Sequence, residues 1–137
     1  PAAVQSYLQA VGIRARISQL QVQAVVQRSW AGTTPLYMGS WGSYSINDVS
    51  AIIPNWMGPG NDDYSRDPDI HRWLAEGGST NDTEKRLAAY RNVIKRSTEQ
   101  AYWLPLFTYV SYYAHTRDLE FTPYPDEMPR WYRAKWN

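Results

Sequence analysis

Apolar residues recur at three- and four-residue spacing in the first segment of the chain: Val4, Tyr7, Leu8 and Val11, followed by Gly12 where a helix would take its left-handed cap. This pattern predicts a helix over Ala2 to Val11. Immediately afterwards Ile13, Ala15 and Ile17 alternate with Arg14, Arg16 and Ser18, the period of a strand with one buried face. Val22, Val25, Val26 and Trp30 return to helical spacing, ended by Gly32 and Pro35, and Leu36 to Gly39 forms a second short apolar run. Two successive helix and strand links favour an α/β class with a small parallel sheet and right-handed crossovers.

The pattern changes at Ser40. Glycine, proline, asparagine, serine and aspartate crowd the chain from there to Arg66, interrupted by Val49 to Ile53, a short helical stretch with Asp48 or Asn47 as its cap. A loop this long is expected to serve function or to cross between domains. Asp67-Pro68 then opens an amphipathic helix through Ile70, Trp73 and Leu74, with Gly77-Gly78 expected to stop it. The strongest pattern lies just beyond. Asn81 and Glu84 have capping-box spacing; Leu87, Tyr90, Val93, Ile94, Ser97 and Ala101 line one face, and Lys85, Arg86, Arg91, Lys95 and Arg96 read as a solvated opposite face. Past Pro105, the Tyr- and Val-rich run Leu106 to Ala114 predicts a strand, and the proline-broken tail from Thr116 to Asn137 an extended segment anchored by its rings.

Charge narrows the function classes. The 14 basic and 13 acidic residues nearly cancel and are intermixed, so no footprint for nucleic acid or an anionic bilayer is expected. With no cysteine, thiolate catalysis and disulfides are excluded, a composition compatible with an oxidising compartment. Seven Trp and eleven Tyr against two Phe favour surfaces alternately wet and covered. His71 and His115 lack companions at metal or triad spacing and are expected to be structural or surface residues. The oxygen-rich run Asn61-Asp62-Asp63 to Asp67 lacks the glycine and terminal glutamate of a calcium loop and reads first as solvated. Asp48, Asp62 and Asp126 could supply a glycosidase pair, a nonspecific signal among so many acids.

Five stretches, VQSYLQAVGIRARI (4–17), GSWGSYSINDVSAII (39–53), YSRDPDIHRWL (64–74), NDTEKRLAAYRNVIKRSTEQAYWLPL (81–106) and DLEFTPYPDEMPRWYRAKW (118–136), together resemble the C-terminal third of ABC-importer solute-binding proteins of the peptide/nickel-binding class. The resemblance implies the C-terminal part of a two-lobed, type II periplasmic-binding-protein fold. Residues 1–39 would belong to the inserted lobe II, 40–48 to a hinge crossing and cleft wall, and 49–137 to lobe I. The start at Pro1, without initiator Met or leader, fits such a piece. In the family the segment after the Gly-Trp-like pair lines the cleft, which implies ligand-binding roles for Trp41, Ser43, Tyr44, Asn47 and Asp48. Peptide-binding members often carry aspartates three and six residues after this tryptophan; here those positions are Tyr44 and Asn47, with Asp48 adjacent. Ring faces on Trp41 and Tyr44 and hydrogen bonds from Ser43, Asn47 and Asp48 suit a small ligand, so sugars and modified peptides stand beside simple peptides. A cap role for Asp48 is the structural alternative.

The resemblance implies an extracytoplasmic (periplasmic) receptor that hands its solute to a membrane permease, completed by an N-terminal remainder, with no catalysis, cofactor or metal. A carbohydrate-binding module and a glycoside hydrolase fragment are the rivals.

Overall fold

Gln5 Nε2 donates to Ala15 O over 2.7 Å, so that the chain leaving the first helix is drawn back along it. That helix, α1 (Ala2–Ala10), and a second, α2 (Val22–Trp30), account for the regular structure of the first forty residues. The computed structural model describes residues 1–42, 46, 48–124, 126 and 128–137, and the chain divides into two units, Pro1–Ser40 and Trp41–Asn137.

Both helices of the first unit end as the sequence predicts. Gly12 sits at φ 84° and Gly32 at φ 65°, the left-handed region. Ile13 N donates to Leu8 O and Gly12 N to Gln9 O; Thr33 N donates to Arg28 O and Gly32 N to Ser29 O. This pair of closures consumes the carbonyls that a helix end leaves open. The stretch after each glycine departs from expectation. Ile13 to Ser18 and Leu36 to Gly39 join no ladder, and Ile13, Ile17 and Leu36 are exposed. A period-two pattern specifies only which face could be buried; a ladder also needs a neighbouring strand, and none pairs with these stretches among the described residues.

The second unit is built on a helical hairpin. A 3-10 turn (Val49–Ala51) leads into α3 (Ile53–Met57), then come α4 (Pro68–Gly78) and α5 (Thr83–Glu99). Ile70, Leu74, Tyr90 and Val93 form the core, with Ile53, Met57, Trp73 and Tyr102 packed around it. Ile70 and Val93 are wholly buried. Gly77 does not stop α4, which runs through Gly78. It lets α5 close in instead: a Cβ at position 77 would lie 3.0 Å from Tyr90 Cε2 and 3.3 Å from Ala89 Cβ. Asp82, not Asn81, caps α5, accepting from Glu84 N and Lys85 N. The buried stripe of α5 is Ala89, Tyr90, Val93 and Ser97, while Leu87 and Ile94 stand about half exposed.

Helix α5 ends by the same pair of bonds as α1 and α2, Tyr102 N to Ser97 O and Ala101 N to Thr98 O, but the left-handed position is Ala101 at φ 54°. Leu106 to Ala114, expected as a strand, joins no ladder among the described residues. The tail closes on itself: β1 (Leu119–Glu120) pairs antiparallel with β2 (Lys135–Trp136), Leu119 opposite Trp136, and Phe121 stacks on Trp131 with ring centres 5.1 Å apart.

This architecture overturns the expected fold class. The chain is mostly helical and its one sheet among the described residues has two short antiparallel strands, so the described residues of neither unit form the parallel sheet that an α/β, type II binding-protein lobe requires. The apolar runs read as strands are present in the sequence but join no ladder among the described residues, and local periodicity cannot supply a neighbouring strand.

Candidate functional site

Of the five residues implied in ligand binding, Trp41 and Asp48 are described; Ser43, Tyr44 and Asn47 lie outside the described residues. Trp41 and Asp48 are held by different chemistries, Trp41 by a ring contact with α3 and Asp48 by an ion pair with α5. The Trp41 ring, 50% exposed, meets Trp56 of α3 edge to face at 5.7 Å and 85°. Trp56 meets Trp103, just beyond α5, at 5.0 Å and 68°. Three indoles from three separate segments thus form a continuous run, the geometry that ring quadrupoles favour. Sequence pattern does not single out Trp56 and Trp103. Their only signal is the high Trp count, because rings that meet through tertiary contact carry no local spacing.

Asp48 Oδ1 accepts from Ser50 N at 2.8 Å, the cap of the 3-10 turn, and from Arg86 Nη2 at 2.6 Å. The Ser50 hydrogen bonds, joined by Arg86, hold its carboxyl down at about pKa 2. Arg86 reaches further. Its Nη1 donates to Gly77 O at 2.9 Å, and its guanidinium lies over the Tyr90 ring at 5.3 Å. One cation therefore satisfies an end-of-helix carbonyl of α4, covers a core ring and fixes the last residue of the 41–48 segment. Arg86 is a structural clamp, which corrects its expected place on a solvated face. The same holds for Arg96, whose Nε donates to Asp67 Oδ2 at 2.8 Å.

Asp67, buried, joins α4 to α5 and to Tyr102 beyond it through four hydrogen bonds. Oδ1 accepts from Asp69 N and Ile70 N at the start of α4; Oδ2 accepts from Arg96 Nε and from Tyr102 Oη at 3.0 Å. Arg96 is the main cause, helped by Tyr102 and the two amides against the opposing effect of burial, of a pKa lowered to about 2. Asp63, also buried, takes three donors on Oδ1, from Ser65 N, Ser65 Oγ and Arg66 N, while Oδ2 lies 2.6 Å from His71 Nε2. These bonds hold Arg66 in its left-handed conformation at φ 47°. The oxygen-rich run weighed for calcium thus turns Asp63 and Asp67 inward onto the fold. Among the described residues, no group of three or more His, Cys, Asp or Glu side chains could hold a metal ion.

The acids weighed for glycoside hydrolysis are likewise engaged where described. Asp48 faces Arg86, and Asp126 takes Arg130 on both oxygens, at 3.1 and 2.6 Å. His115 lies edge-on to Phe121 at 6.0 Å. In the first unit, Gln5, Gln9, Arg14 and Ala15 line a shallow polar hollow, the product of the Gln5 to Ala15 bond. Among the described residues no helix is long and apolar enough to cross a membrane. What the 41–48 frame offers chemically is a half-exposed indole on a fixed mount, suited to covering an apolar or ring-bearing face of a small molecule.

No family model, curated protein or solved structure matches the chain.

Proposed function

We propose that the chain is part of an extracytoplasmic binding protein that captures a peptide or a related small solute and passes it to a membrane permease. The observation that carries this reading is Trp41, half exposed and held edge-on by Trp56. A ring presented to solvent on a rigid support loses little entropy when a ligand covers it. Asp48 acts as a positioning residue. Its bond to Arg86 ties the far end of the segment to α5, so that Trp41 is fixed at one end and Asp48 at the other. Between them in sequence, Tyr44 is proposed to add a second ring face, and Ser43 and Asn47 the hydrogen bonds that orient a solute.

A second reading, carbohydrate binding by an exposed ring platform, is favoured by Trp131, Tyr132 and Trp136, all largely exposed in the tail. One screen separates the two. Thermal-shift measurements with peptide and oligosaccharide libraries should yield a stabilising ligand, and Trp41→Ala should weaken it at least tenfold, about 1.4 kcal/mol, while Trp131→Ala leaves it unchanged. Binding lost with Trp131→Ala and kept with Trp41→Ala moves the site to the tail. No shift with any member of either library removes the capture reading.

A further inference from the structure

We infer that residues 106–114 form an antiparallel β-ribbon with the same segment of a second copy of the chain, on a two-fold axis through Val110. The run Leu106-Phe107-Thr108-Tyr109-Val110-Ser111-Tyr112-Tyr113-Ala114 contains no charge, no glycine and no proline. It is rich in the residues that favour a pleated strand. Phe107 and Tyr109, two apart, meet edge to face at 5.4 Å, the same-side placement of an extended chain. Tyr113 continues that side and touches Phe121 at 5.7 Å. The opposite side carries Leu106, Thr108, Val110, Tyr112 and Ala114, all exposed, with Val110 at 71% and Tyr112 at 91%. The segment forms no ladder among the described residues.

An extended, unladdered segment of this composition is a template for another strand, and it lacks the devices that ordinarily block such pairing, a lysine, an internal proline or a bulge. A second copy is the occupant its chemistry selects. From Ala101 to Thr116 the only ionisable side chains besides tyrosines belong to His115, so the run neither repels its twin nor offers a charge to recognise a different partner. The whole chain, at net charge +1, does not hold copies apart. The sequence is also self-complementary about its centre. Antiparallel pairing about Val110 sets Phe107 against Tyr113 twice, Thr108 against Tyr112 twice, and Val110 against itself, pairings of aromatic and β-branched residues that stabilise sheets. Such a contact is closed by its own symmetry, giving a dimer.

The chain has no cysteine, so single substitutions report cleanly. In the proposed register the two copies of residue 110 face each other at about 4.5–5.5 Å between Cβ atoms, near disulfide reach. The two copies of residue 106, or of residue 114, lie about 27 Å apart along the ribbon at 3.4 Å per residue. Under mild oxidation of the full chain, Val110→Cys should form a disulfide-linked dimer at least ten times faster than Leu106→Cys or Ala114→Cys. Sedimentation should show wild type as a dimer at tens of micromolar and Val110→Lys, which sets two ammonium groups against each other at an exposed position, as a monomer with unchanged circular dichroism. Equal cross-linking at all three positions would mean parallel stacking and overturns the two-fold ribbon. A monomeric wild type, or a Val110→Lys variant that still dimerises, overturns self-pairing and assigns the strand another occupant.

Discussion

Helices α1 and α2 of Pro1–Ser40 and helix α5 of Trp41–Asn137 stop by the same pair of bonds across a left-handed residue, yet the chain beyond the stop differs. In the first unit the chain turns at Gly12 and Gly32 into stretches that pack little. No apolar side chain of Pro1–Ser40 is buried, and Ser29 alone is enclosed. In the second unit the turn at Ala101 delivers Tyr102 onto the hairpin core and onto Asp67. A good cap thus fixes where a helix ends and leaves its burial undecided. Burial comes from a facing helix with a complementary stripe, as when Ile70, Leu74 and Gly77 meet Ala89, Tyr90 and Val93.

The largest effect that would sharpen this contrast is a core truncation. Ile70→Ala should cost about 2–5 kcal/mol, read as a large fall in the urea midpoint, whereas Ile13→Ala, more than half exposed, should stay within about 0.5 kcal/mol. Comparable losses at the two positions would break the comparison. Native-state hydrogen exchange should place the slowest amides in α4 and α5.

Next in size is the Asp67 junction. Asp67→Ala removes a cap and leaves Arg96 and Tyr102 without their acceptor, a cost of about 2–3 kcal/mol. Acid should reveal the same link. The Asp67 carboxyl titrates near 3.8 in an unfolded chain and at about 2 when folded, so its contribution is present above pH 4 and is lost as pH falls toward 2. The Asp67→Asn variant should be less stable at pH 7 and show a shallower loss between pH 4 and 2. An unchanged acid slope in that variant would assign the loss to other carboxylates.

The smallest effect concerns the caps themselves. Ala101→Gly should stabilise the second unit by up to about 1 kcal/mol, because alanine at φ 54° carries a Cβ clash that glycine lacks. Gly12→Ala and Gly32→Ala should do the reverse by a similar amount. Scanning calorimetry resolves both signs.

These contrasts also mark how far the sequence can be read. Features set by neighbours along the chain are legible: α1 and α2 with their glycines, Asp67 before Pro68, Asp48 capping its turn. The cap of α5 is displaced by one residue from its expected place because Asn81 and Asp82 both fit, and geometry selects Asp82. Features set across the chain are not legible. Ile13 to Ser18 and Leu106 to Ala114 have the composition of strands, and the α/β expectation assumes neighbouring strands that are not found among the described residues. Arg86 and Arg96 look solvated in the sequence because helical periodicity carries no information about a carboxylate 38 or 29 residues away. Gly77 reads as a stop because glycine ends helices more often than it admits a tyrosine ring. For the candidate site, Trp41 and Asp48 stand out locally, whereas Trp56 and Trp103 become visible only as contacts.

The junction at Asp67 has a consequence for how this sequence can drift. One carboxylate serves two amides, a guanidinium and a phenol, so its loss strands every partner at once, while loss of the phenol strands none but leaves the carboxylate three donors. Substitution histories should therefore run in one direction. Tyr102 changes first, Arg96 changes only with compensation at 67, and Asp67 is the last to go.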